Sequence, residues 1–155
     1  MVDSLILKTA SLLDLETACE VLEAQFAEHD IVLAPDALRA AVEGLVTDER
    51  RGALVLAWEG ETPVGLAVLA TTWTLEHGGL VGWLDELYVR PARRSRGIGT
   101  ALLERTCALA HERGCLALEL EVDAAHGRAA RLYERAGFGR LARSRWSRRL
   151  EPPAR

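Results

Sequence analysis

LDELYVRPARRSRGIGT, residues 84–100, decides how this chain is built. Its first six residues, Leu84 to Val89, read as a strand, and the residues from Ile98 onward (IGTALLERTCALAHERG) carry the three- and four-residue apolar spacing of a helix. Between them lies Arg-Ser-Arg-Gly-Ile-Gly-Thr, residues 94–100. A glycine-containing turn that opens a helix lets several backbone N–H groups converge on one anion, and the helix dipole adds partial positive charge there. Arg94 and Arg96 supply permanent cations, and Gly97 and Gly99 allow close approach. The segment therefore predicts a strand, an anion-holding loop and a helix. No Gly-Lys-Ser/Thr follows, which excludes a nucleotide P-loop, and the string is not G-x-G-x-x-G.

Working outward, Ser4 to Lys8 predicts a first strand, and Leu12, Leu15, Cys19, Leu22 and Phe26 predict a helix to about His29. Pro35 opens a second helix to about Thr47. GALVLAWE (52–59) and PVGLAVLATTW (63–73) predict an antiparallel hairpin, followed by a third strand from Val81 to Val89. Beyond the long helix, which Gly114 stops, Leu116–Val122 reads as a strand and Gly127–Ala136 as a helix closed by Gly137. Phe138–Leu150 is read as two last strands. The order β-α-α-β-β-β-α-β-α-β-β predicts an α/β (α+β) mixed sheet with helices on both faces. It is read as a single domain over residues 1–150, with 151–155 a frayed tail.

The chain has 155 residues and a net charge of −4, unevenly placed. Residues 1–89 hold 4 basic against 16 acidic side chains, a net of −12, and residues 90–155 hold 15 against 7, a net of +8. A nucleic-acid binder would be basic as a whole, so no nucleic acid is expected as a partner. A small polyanion on the second half and a cation on the first fit the division. No run approaches the roughly 18 apolar residues of a membrane span, and no leader is read at the N-terminus. Cys19, Cys107 and Cys115 are odd in number and lack metal spacing, which suits buried thiols in the cytoplasm. His29, His77 and His111 have no second ligand at metal spacing, so no metal is expected.

RSRGIG (94–99) resembles the Q/R-x-x-G-x-G/A loop with which the GNAT acetyltransferase superfamily binds the pyrophosphate of acetyl-CoA. HGRAARLYERAGF (126–138) resembles that superfamily's N-x-x-A-x-x-L-Y-E-x-x-G-F helix, and LDELYV its E-D-L-Y-V strand. The chain departs in having His126 where the family often has Asn, and Asp85-Glu86 where it often has Glu-Asp. TTWTLEHGGLVGWLDELYV (71–89) and Trp146 resemble, more loosely, spermidine/spermine N-acetyltransferase-like members.

The resemblance implies acetyl transfer from acetyl-CoA to a primary amine by direct attack. A protonated amine needs a base, and Asp85 and Glu86 are the candidates. Strand alternation sends them to opposite faces and a bulge would re-aim them; the reading leans to Glu86 and keeps Asp85 beside it. Tyr133 is the expected proton donor to the departing thiolate. Ser95, Arg96, Ile98 and Thr100 join Arg94, Gly97 and Gly99 around the phosphates. Leu87 and Val89 would pair through their backbones with the pantetheine arm, with His126 and Tyr133 facing it from the last helix. Glu28, Asp30, Trp73, Trp83 and Asp85 are expected to bind the acceptor, a small cationic molecule, through charge and cation–π contact. A protein N-terminus or lysine is the alternative acceptor, and a non-catalytic acyl-CoA-binding module the alternative role. The resemblance also admits a homodimer.

Overall fold

The computed structural model describes residues 4–123 and 125–152. The chain divides into two compact units, Met1–Glu121 and Val122–Arg155. The first unit contains β1 (Leu5–Thr9), a single 3-10 turn (Leu12–Asp14), α1 (Leu15–Glu28), α2 (Pro35–Val46), β2 (Gly52–Glu59), β3 (Thr62–Thr74), β4 (Gly79–Val89), α3 (Ile98–Glu112) and β5 (Leu118–Glu119). The second contains α4 (Gly127–Arg135). The strands stand in the order β1-β2-β3-β4-β5, antiparallel except for the parallel pair β4 and β5.

Why α1 begins where it does is local. Ser11 and Asp14 form a reciprocal capping box, and Lys8 Nζ lies 2.8 Å from Asp14 Oδ1. The helical spacing read from Leu12 is therefore divided, a 3-10 turn leading into the α-helix proper at Leu15.

Gly52 to Ala57 are buried without interruption, which explains an apolar run where a half-exposed strand would alternate. Leu54 and Leu56, with Leu66, Val68 and Tyr88, face Ala18, Val21 and Leu22 of α1 and Leu38 and Val42 of α2. On the other face lies α3: a Cβ added at Gly65 would meet Leu102 Cδ1, and one at Gly82 would meet Ala110 Cβ. Gly65 is required by this closeness, since that Cβ would also stand 2.5 Å from the carbonyl oxygen of Tyr88.

Two expectations change. The strand read over Leu116–Val122 is only Leu118–Glu119, pairing with Gly82 and Trp83. The register of β4 breaks just beyond, between the Val68–Glu86 and Leu69–Leu84 pairs, so Asp85 is an extra residue and the parallel ladder ends there. Residues 138–152 carry no strand. Their large apolar side chains, Phe138, Leu141, Trp146 and Leu150, recur at irregular spacings among arginines, so no face can be buried at period two. Leu141, Trp146 and Leu150 are accordingly exposed. Of the tail read as frayed, residues 153–155 lie outside the described residues. Among the described residues no helix is long and apolar enough to cross a membrane.

Candidate active site

The bulge at Asp85 settles which carboxyl group turns inward. Leu84 stands opposite Leu69 on the α3 face, and without the extra residue Glu86 would share that face. With it, Glu86 stands opposite Val68 and turns toward α1, leaving Asp85 exposed. Gln25 of α1 donates from Nε2 to Glu86 Oε2 at 2.5 Å. Burial pushes the Glu86 carboxyl up to about 7, the negative charge of Asp85 adds to this, and the Gln25 bond opposes it. The site thus holds a half-buried carboxyl group that changes charge near neutrality.

Beyond the bulge no strand among the described residues pairs with the outer edge of β4. The Arg90 amide donates to the Val64 carbonyl at 2.9 Å, so residues 64 and 90 form a hydrogen-bonded pair of the β3–β4 ladder. Alternation of the ladder then directs the backbone groups of Tyr88 toward β3 and those of Leu87 and Val89 away from it. Past Gly82 and Trp83, β5 pairs with no residue of this edge. The N–H and C=O of Leu87 and the N–H of Val89, residues singled out in the sequence for backbone pairing, therefore point to that edge, while the Val89 carbonyl is taken up by Arg94.

One turn after Gln25, Glu28 reaches the same strand. Its Oε1 lies 2.6 Å from Arg94 Nη2, while Arg94 Nε donates to the Val89 carbonyl at 2.9 Å and its guanidinium stands 5.6 Å from the centre of the Tyr88 ring. The Arg94 bond holds the Glu28 carboxyl below its ordinary range; burial opposes it, and a bond from Tyr88 assists. The Tyr88 hydroxyl is raised by burial and by that same bond. The sequence assigned Arg94 to the cofactor and Glu28 to the acceptor; the structure joins them.

Arg94 is followed by a turn in which Ser95 (φ 64°) and Gly97 (φ 81°) adopt left-handed conformations. Gly97 is the N-cap of α3 and no side chain caps the helix. A Cβ at Gly97 would meet nothing within 4 Å, so the glycine serves the dihedral angle and not space. Ile98 is buried and anchors the first turn, while Gly99 and Thr100 lie at the surface end with their N–H groups in the orphan positions of a helix start. Arg90 and Arg93 are tied to Glu20 (2.8 Å) and Glu59 (2.9 Å), which leaves Arg96, exposed and without an ion pair among the described residues.

The other acceptor candidates do not all converge. Asp30, two residues after the end of α1, is exposed with φ 55°. Trp83 pairs with Ala70, on the face of Val68 and Glu86, whereas Trp73 pairs with Leu80 on the opposite face. Trp73 also lies five residues, roughly 17 Å, along β3 from Val68 and is 73% exposed. The two tryptophans thus do not share a pocket wall. Gln25 was not singled out in the sequence, although a signal exists: it occupies the buried stripe Leu15, Ala18, Cys19, Leu22, where an apolar residue would be expected.

In the second unit, α4 ends on Gly137 (φ 90°), with the Phe138 amide returning to the Tyr133 carbonyl at 3.0 Å. The Tyr133 and Phe138 rings stand edge to face with centroids 5.9 Å apart. Burial raises the Tyr133 hydroxyl above its ordinary range. His126 is the exposed N-cap of α4 and makes no side-chain cap bond.

Comparison with known proteins bears on the family and the fold. The model of the acetyltransferase (GNAT) family matches residues 11–138. A mycothiol acetyltransferase of Beutenbergia cavernae is 36% identical over 76 residues, which cover 49% of this chain and 26% of that protein. A thialysine N-epsilon-acetyltransferase of Mus musculus is 29% identical over 139 residues, covering 81% of this chain and 76% of that protein. The crystal structure of an integron cassette protein from the mobile metagenome of Cole Harbour Salt Marsh superposes with a TM-score of 0.85 at 30% identity, over 95% of this chain and 91% of that one. With the family model spanning most of its length, the chain belongs to the GNAT family of acetyltransferases.

Proposed function

We propose that this protein transfers an acetyl group from acetyl-CoA to the primary amine of a small cationic molecule. The observation that carries the reading is the half-buried Glu86, turned by the bulge toward α1 beside a strand edge that is unpaired among the described residues, and titrating near neutrality. An alkylammonium near pKa 10 must lose a proton before it can attack, and a carboxylate with pKa about 7 is a stronger base than an ordinary one. The ammonium gives a proton to Glu86 directly or through water, the neutral amine nitrogen forms a bond to the thioester carbonyl carbon, the C–S bond breaks, and the second proton that the nitrogen sheds replaces the one that Tyr133 gives to the departing thiolate. The Val89 N–H, directed to that edge, stabilises the oxyanion. The leaving thiolate takes a proton from Tyr133, whose raised pKa keeps the hydroxyl protonated at neutral pH. Leu87 holds the pantetheine arm, and the helix start at 95–100 with Arg96 holds the phosphates.

A cationic acceptor is supported by the −12 carried by residues 1–89 and by exposed Asp30 and Asp85 on the segments flanking Glu86. Coenzyme A release from acetyl-CoA across a panel of polyamines, aminoglycosides, amino acid derivatives and peptides tests the reading. Turnover with small cations is expected, with a KM that rises with salt. Turnover confined to peptides would overturn the small-molecule acceptor, and none at all would overturn catalysis.

A further inference from the structure

We propose that Gln25 is a positioning residue for the base, holding the Glu86 carboxylate in its working orientation; this rests on the reading of Glu86 as the proton acceptor. Gln25 is 5% exposed and sits in the stripe of α1 that packs on the sheet. A leucine or methionine there would bury apolar surface without polar groups to satisfy. The glutamine instead gives both N–H donors and a carbonyl acceptor to the interior, and only one side is served: Nε2 meets Glu86 while Oε1 has no hydrogen-bond partner among the described residues. An unserved buried acceptor costs stability, so the orientation of the amide is set by Glu86 and not by its own satisfaction.

The contact is selective for one protonation state. An N–H donor favours the ionised carboxyl, because a bond to a charged acceptor is about twice as strong as a neutral one. Among the described residues no cation competes for that role. Of the groups facing Glu86, Asp85 on β4 is a like charge and Val68 on β3 does not titrate. On the same sheet face the α2 residues of the core, Leu38 and Val42, are apolar, and Glu28 of α1 is joined to Arg94 and Tyr88. Gln25 is therefore the one neighbour that draws Glu86 toward its charged form against burial and Asp85.

Titration of the Glu86 side-chain carboxyl by carbon-13 NMR in the full-length protein tests this without any acceptor, the resonance being identified by its loss in Glu86→Gln. Gln25→Met should move the midpoint up by about one pH unit, the loss expected for a bond to a charged group. Gln25→Glu, which places a second carboxyl group against the first, should move it further. In acetyl-CoA turnover with the best amine of the panel, the acid limb of the Gln25→Met profile should move by the same amount, lowering kcat about 5-fold at the parent's midpoint while the KM for acetyl-CoA stays within twofold. Coincident carboxyl titrations in parent and Gln25→Met would overturn the proposal. The underlying reading fails separately, if Glu86→Gln turns over as fast as the parent.

Discussion

Glu86→Gln should stabilise this protein at alkaline pH while disabling it. The folded chain raises the Glu86 carboxyl from an ordinary 4.5 to about 7, so between these values the folded state binds a proton that the unfolded state has released. Stability conferred by that proton is fully present below pH 4.5 and is lost as pH rises through 7. Two and a half units at about 1.4 kcal/mol each give roughly 3.4 kcal/mol. Residual contact with water lowers this to about 2–3 kcal/mol. Glutamine has nearly the same shape and never ionises, so the variant escapes the loss.

Thermal unfolding of parent and variant across pH 4 to 9 reads the difference directly. The two should melt together at the acid end, and at pH 8 the variant should melt about 5–10 °C higher, since 1 kcal/mol is worth about 2–4 °C in a chain of this size. Turnover should fall about 10²- to 10⁴-fold, as when a general base is removed. A parallel pair of melting curves, or a variant less stable at pH 8, would refute the claim that Glu86 is ionised there at the expense of the fold.

Three further outcomes follow from the geometry. Tyr133→Phe keeps the ring against Phe138 and removes the proton, so kcat should fall about 10- to 1000-fold with little change in the KM for acetyl-CoA; a kcat within twofold of the parent would make Tyr133 structural. Glu28→Gln removes the carboxylate paired with Arg94 while leaving the Val89 bond and the Tyr88 ring in place. Calorimetry should therefore show acetyl-CoA binding up to about 5-fold tighter at low salt, the worth of a part-exposed ion pair, whereas weaker binding would mean that Glu28 aims Arg94 at the phosphates. Gly65→Ala drives a methyl group to 2.5 Å from the Tyr88 carbonyl, a backbone atom that cannot turn aside. It should cost about 1–3 kcal/mol in denaturant unfolding, and a cost below about 0.5 kcal/mol would show that β3 and β4 separate freely here.

What the sequence revealed, and what it withheld, divides by the range of the interaction. The loop and the last helix were readable because their requirements are local: Gly97 and Gly137 adopt dihedral angles that side chains resist, and the Tyr133–Phe138 contact is closed within five residues. The choice between Asp85 and Glu86 was not local. It depends on one extra residue against Val68 and Leu69 of another strand, and alternation along LDELYV alone cannot locate it. Charge summed along the sequence misled about individual groups. Glu28 counts toward an acidic surface in the sequence, yet in the fold it is spent on Arg94, 66 residues away.

Trp73 and Trp83 read as a pair by composition, and the sheet places them on opposite faces. The tail failed for the opposite reason, since local β propensity around Trp146 has no period-two face to satisfy. Gln25 is the instructive case. Its polar side chain interrupts a buried stripe, and such an interruption marks a residue whose role lies with a partner distant in sequence, here a carboxyl group 61 residues on. A glutamine that leaves half its amide unserved in the core makes sense together with the charge it faces, and a half-buried carboxyl group raised to about 7 is the kind of group that the proposed role of base requires.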